Sequence, residues 1–195
     1  MMEFRRLTEN EIRIWYETEL TCTFIPQECK PLDDIFRLIE ENRYEIWGLL
    51  DGASLLGYAC LWTHPDLALV LLDYLGVTAL RRNAGLGGEI LRRLQGQGRP
   101  LVTESELPVV DDDAEENAIR LRRIAFYARH DFTAAYPMAT CGMAWQAMVH
   151  TPGMALAEVM AQHKALYGPT RTDVVVPLGE GERPVMPYWM EANRP

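Results

Sequence analysis

The stretch Leu75-Gly76-Val77-Thr78-Ala79-Leu80-Arg81-Arg82-Asn83-Ala84-Gly85-Leu86-Gly87-Gly88 combines arginines and glycines at the junction of two differently patterned segments. It follows an apolar run from Ala68 and leads into Leu86, Ile90, Leu91 and Leu94, which recur with helical spacing. A helix start carries unpaired N–H groups and the positive end of the macrodipole. Glycines let the backbone approach a ligand closely, so the chemistry favoured here is binding of a phosphate or pyrophosphate. A second candidate is the pair Glu104 and Glu106, which flank Ser105. Strand alternation puts both carboxylates on one face, where one could act as a base or both could be solvated strand-end charges. Gly76 is an isolated glycine in an apolar strand, the mark of a bulge, a close backbone approach or simple packing. Cys22, Cys29, Cys60 and Cys141 form no CxxC pair and have no nearby histidine, so no metal site is expected.

These residues must be positioned by an alternating series of elements. Met2–Leu7 reads as a strand, and Thr8 to Glu11 has capping-box spacing before a helix to about Leu20. Pro26 breaks the chain, and Pro31 opens a helix burying Ile35, Leu38 and Ile39. Strands are expected over Glu45–Leu50 and Leu55–Trp62, joined at Asp51-Gly52, and over Ala68–Val77. A helix to about Gln95, a strand over Leu101–Ser105 and an acidic stretch from Pro108 follow. The stripe Ala118, Leu121, Ala125, Ala128 and Phe132 predicts a helix over Glu115–His130 that buries that face. Phe132–Tyr136 and Met143–Val149 read as closing strands and Met154–Tyr167 as a last helix, stopped by Gly168-Pro169. Val174-Val175-Val176 could add an edge strand. The pattern predicts an α/β domain with a mixed sheet of six to seven strands over residues 1–168, and a proline-containing extension over 169–195.

Composition narrows the partners. Of 195 residues 48% are hydrophobic and 24% charged, an ordinary globular mixture. The net charge of -9 argues against nucleic acid as the main partner. Seventeen arginines stand against two lysines, and nine of the arginines lie between Arg81 and Arg129; arginine binds phosphate bidentately. The polar N-terminus and the absence of a long apolar run predict a cytoplasmic protein with no membrane segment.

The motif Arg82-Asn83-Ala84-Gly85-Leu86-Gly87, with Val77 five residues before the arginine, resembles the acyl-CoA loop of the GNAT superfamily of N-acyltransferases. Phe126-Tyr127-Ala128-Arg129-His130-Asp131-Phe132 is similar to its Phe-Tyr-x-x-x-Gly-Phe segment. The resemblance covers about Phe4 to Val149 and more loosely the helix to Tyr167. It implies a GNAT-like fold and acetyl-CoA as cosubstrate. The N–H groups of Arg82, Asn83, Ala84, Gly85, Leu86, Gly87 and Gly88 would hold the pyrophosphate, with charge from Arg81 and Arg82. The strand would splay near Gly76, freeing an N–H near Val77 to polarise the thioester carbonyl. Tyr127 would protonate the departing thiolate, since a phenol stays protonated until that moment. Two positions depart from the family pattern: Asp131 replaces the usual glycine, and Arg120 stands where an asparagine is common. Asp131 tolerates the left-handed backbone a glycine would adopt. Arg120, Arg122 and Arg123 could meet cofactor phosphates or pair with Asp111–Asp113. Trp15, Tyr16, Phe24 and Trp62 could line the acceptor side or form core; the four histidines show no partner suggesting catalysis.

The resemblance therefore implies transfer of an acetyl group to a primary amine of a small molecule or peptide by direct attack. Glu104, Glu106 or a water chain would serve as base. A non-catalytic acyl-CoA-binding module of the same fold is the alternative, and a tRNA-acylating enzyme is disfavoured by the acidic charge. The last strand and the tail could pair two subunits in a homodimer.

Overall fold

A computed structural model describes residues 2–23 and 29–186. Seven strands form one mixed sheet in the order β1-β2-β3-β4-β5-β7-β6: β1 (Met2–Arg6), β2 (Tyr44–Asp51), β3 (Ser54–Trp62), β4 (Val70–Val77), β5 (Leu101–Glu106), β6 (Thr133–Thr140) and β7 (Met143–His150). The helices are α1 (Glu9–Trp15), α2 (Thr21–Thr23), α3 (Leu32–Glu40), α4 (Leu86–Gln95), α5 (Ala114–Ala128) and α6 (Leu156–Tyr167). The chain divides into two compact units, Met1–Asp66 with Leu72–Gln97, and Leu67–Leu71 with Gly98–Pro195.

In the first unit, the capping box read from the sequence closes α1. Thr8 N–H donates to Glu11 Oε2 at 2.8 Å, and Glu11 N–H donates back to Thr8 Oγ1 at 3.4 Å. Arg5 grips the same carboxylate at 2.7 and 2.8 Å and, as the largest cause, holds it down to about 2. The helix then passes into a π-helical turn, Tyr16–Leu20, that periodicity did not foretell. Strands β1, β2 and β3 pair antiparallel, and Asp51 faces Ser54 across the expected Asp-Gly turn, with Gly52 at φ 58°. Ile12, Trp15, Leu20, Ile35, Tyr44, Ile46 and Tyr58 form the core of this unit.

In the second unit, β7 lies between β5 and β6, antiparallel to both. The stripe predicted for α5 is out of phase: Ala118, Leu121 and Ala128 are exposed, Leu121 at 54%, and Tyr127 is the helix's buried residue. Alanines pattern weakly, whereas Ile124 and Tyr127, with the stem of Arg120, carry the apolar area. Asp113 caps α5 by accepting from Glu115 and Glu116 N–H. The edge strand expected at 174–176 is a single antiparallel bridge between Val175 and Ala139. Buried Asp173 fastens this segment to the β6–β7 turn. It accepts from Cys141 N–H at 2.9 Å, from Thr140 Oγ1 at 3.1 Å and from Arg171.

Candidate active site

In the first unit the Arg/Gly loop takes the form its composition suggests. The chain leaves β4 pinned by Thr78, whose N–H and hydroxyl both donate to the Leu56 carbonyl, at 3.0 and 3.2 Å. A 3-10 turn, Ala79–Arg81, follows. Asn83 and Gly85 then adopt left-handed backbone, φ 64° and 74°. A Cβ at Gly85 would meet nothing within 4 Å, so the glycine faces open space. Arg81, Arg82, Asn83, Ala84 and Gly85 are exposed, Leu86 and Gly87 half-buried and Gly88 buried.

Gly85 is the N-cap of α4 and supplies no side-chain cap to its first N–H groups. The only carboxylate in that first turn, Glu89, is engaged by Arg93 at 2.5 Å and by Arg92; these bonds, Arg93's first, hold its pKa below the usual range. An uncapped helix start, a glycine cradle and exposed arginines fit a pyrophosphate. The residues from Arg82 to Gly88 are those that would hold it.

Gly76 has a packing reason, one of the alternatives read from the sequence, and its partner is Tyr58. A Cβ there would lie 2.5 Å from both Cε1 and the hydroxyl oxygen of Tyr58, and closer still to Cζ. Tyr58 is buried and packs edge-on against Trp15, ring centroids 5.4 Å apart. The neighbouring strand needs a glycine too, since a Cβ at Gly57 would come 2.8 Å from the Gly76 carbonyl oxygen. Trp15, considered for the acceptor side, is therefore core at 1% exposure. Phe24 and Pro26 lie outside the described residues.

In the second unit neither strand carboxylate is a solvated charge. Glu106 accepts from Arg120 Nε at 2.9 Å and lies 3.8 Å from Arg123, while Arg120 also reaches Asp112 at 2.6 Å. Arg120 thus takes the ion-pair role rather than a place among free cations. Glu104 accepts from Tyr167 Oη at 2.6 Å and lies 2.9 Å from Nε2 of His163. The other ring nitrogen of His163, Nδ1, is 3.0 Å from Tyr136 Oη. His163 is fully buried between these partners, which corrects the reading that no histidine has a suggestive partner. A separation of 59 residues between Glu104 and His163 leaves no local signal. With Nε2–H donating to the carboxylate, Nδ1 accepts the Tyr136 proton, so one tautomer satisfies every bond.

Tyr127 is 7% exposed, packed on Phe126 and Phe132, and its hydroxyl bonds Thr103. Burial, outweighing the Thr103 bond, raises its pKa and keeps it in the donor form. Asp131 takes the left-handed conformation expected of it, φ 61°, at the turn between α5 and β6.

No family model matches the chain. Over 121 residues it is 30% identical to YjbC of Bacillus subtilis (strain 168), provisionally named an acetyltransferase; the match covers 62% of this chain and 57% of that protein's length. A Bacteroides thetaiotaomicron structure, provisionally assigned as an acetyltransferase of the GNAT family, superposes with a TM-score of 0.68 at 22% identity, covering 87% of this chain and 98% of that one. The ribosomal-protein-S18-alanine N-acetyltransferase of Escherichia coli and the yncA protein of Salmonella typhimurium with acetyl-CoA each superpose at 0.55 and 17% identity, covering 80% of this chain and 96% of theirs. The fold is that of the GNAT acetyltransferases.

Proposed function

We propose that the protein is an acetyl-CoA-dependent N-acetyltransferase acting on a primary amine by direct attack. The uncapped start of α4, with Gly85 left-handed and open to solvent, carries this reading. In it the N–H groups from Arg82 to Gly88 bind the pyrophosphate, assisted by Arg81 and Arg82, and an N–H near Gly76–Val77 faces the thioester carbonyl oxygen. The acceptor nitrogen attacks that carbonyl and the carbon–sulfur bond breaks. Tyr127 gives its proton to the thiolate, and the proton lost by the amine goes to a carboxylate. Glu104 is better suited than Glu106 to that role, because Glu106 is tied up by two guanidinium groups while Glu104 is held by the Tyr167 hydroxyl and the His163 ring.

Titration calorimetry with acetyl-CoA tests the carrying observation. Wild type should bind, and Gly85→Glu should not, because a carboxylate and a Cβ then stand where the diphosphate must lie and where φ is 74°. Equal affinity in the two proteins would overturn the loop assignment. Thiol release with a panel of amines then tests transfer; binding without release would make the protein an acyl-CoA-binding module.

A further inference from the structure

The first unit holds an aromatic cage around an ammonium group. Lys30 Nζ lies 2.6 Å from Asp73 Oδ2 and 5.0, 5.2 and 5.6 Å from the ring centroids of Tyr74, Trp62 and Tyr44. Tyr44 Oη donates to the same carboxylate oxygen. Asp73 and Tyr74 are consecutive in β4, and the long Lys30 side chain reaches both. The Asp73 side chain is only 19% exposed among aromatic walls. A carboxylate so placed is costly without a cation, and the cage is built for an ammonium of any origin. The occupant is one of only two lysines in a chain with seventeen arginines. Lys30 comes from the segment before α3 and is itself partly exposed, at 23%.

Resting on the acetyltransferase reading, we propose that this cage is a subsite for a second, non-reacting ammonium of the acceptor, and that Lys30 holds the place until the acceptor arrives. A carboxylate and three π-faces favour the charged form of an amine, which is the wrong form for a nucleophile. The caged nitrogen is therefore the spectator and the attacking nitrogen lies elsewhere on the same molecule. Tyr74 and Asp73 stand two and four residues before Gly76 and Val77, roughly 7 and 13 Å along a strand. A linear diamine or polyamine is the acceptor class with charges so spaced.

The test uses spermidine, cadaverine and butylamine, with thermal shift measured without acetyl-CoA, so that failure of the cage and failure of the transferase reading are separable. In Lys30→Ala the vacated cage should bind cadaverine and spermidine at least ten-fold more tightly than the wild type does, with a matching rise in melting temperature. Lys30→Ala/Asp73→Asn should lose that response. Lys30→Met, which keeps the stem length, guards against a misfolded alanine variant. In wild type, spermidine should have a lower KM than butylamine, and Trp62→Ala should raise the spermidine KM more than it lowers kcat. A Lys30 variant that is destabilised and gains no response to either diammonium would make Lys30 a structural tie and overturn the proposal. An equal response in the Asp73→Asn double variant would do the same.

Discussion

Gly76→Ala separates two reasons for a glycine in β4. The new Cβ would stand 2.5 Å from Tyr58 Cε1 and Oη, against an optimal separation of roughly 3.5 Å or more, an overlap of about 1 Å. The ring has little room to yield, since Tyr58 is 1% exposed and wedged against Trp15, itself 1% exposed. Overpacking of this kind costs about 3 kcal/mol, the upper part of the usual range. In a chain of 195 residues that lowers Tm by roughly 6–12 °C. The assay is thermal and urea unfolding of Gly76→Ala, Tyr58→Ala and the double variant. Tyr58→Ala alone costs about 3–5 kcal/mol through its cavity. On that background the alanine at 76 should add almost nothing, giving a coupling of about 3 kcal/mol between the two sites. Calorimetry with acetyl-CoA on the same proteins adds the second axis. A Gly76→Ala protein that melts within about 2 °C of wild type yet loses acetyl-CoA binding would refute the packing argument and leave ligand approach as the reason for the glycine.

Tyr127→Phe should lower kcat about ten-fold or more in the thiol-release assay while leaving acetyl-CoA affinity unchanged; unaltered turnover would remove it as proton donor. Asp131→Gly should be neutral to stabilising by up to about 1 kcal/mol in urea unfolding, and Asp131→Val destabilising, because φ is 61°. Burial pushes the Asp173 carboxyl up, but its bonds from Arg171, Cys141 N–H and Thr140 together bring it to about 2. A depressed folded value means stability that is complete above about pH 4 and lost as pH falls toward 2. The loss is about 2 kcal/mol by acid titration of the unfolding free energy, and it should vanish in Asp173→Asn.

The parts of this fold that could be read from the chain are those set by neighbours in sequence. Thr8 and Glu11 sit three apart and cap α1 as their spacing requires, and Asp51-Gly52 turns the β2–β3 hairpin through a residue that tolerates positive φ. The Arg/Gly loop was legible for the same reason: its strand, its glycines and its helix are contiguous. Where residue size decides, periodicity failed. Of the stripe Ala118, Leu121, Ala125, Ala128 and Phe132, Phe132 is buried and Ala125 half-buried, but one leucine and the small alanines do not outweigh Ile124 and Tyr127 within the helix, and Ala118, Leu121 and Ala128 face outward.

Site chemistry was hidden wherever it depends on a partner far along the chain. Glu104 and Glu106 look alike on β5, yet one meets a histidine and a tyrosine from α6 and the other two arginines from α5. Their difference is made by helices 14 to 63 residues away. In the proposed reaction that difference favours Glu104 over Glu106 as the base. Glu106 is held by charged contacts from two guanidinium groups, Arg120 and Arg123. Glu104 is held instead by the Tyr167 phenol and by an imidazole whose second nitrogen faces the Tyr136 hydroxyl. What each carboxylate binds is therefore set by where α5 and α6 fold, not by the residues flanking Ser105.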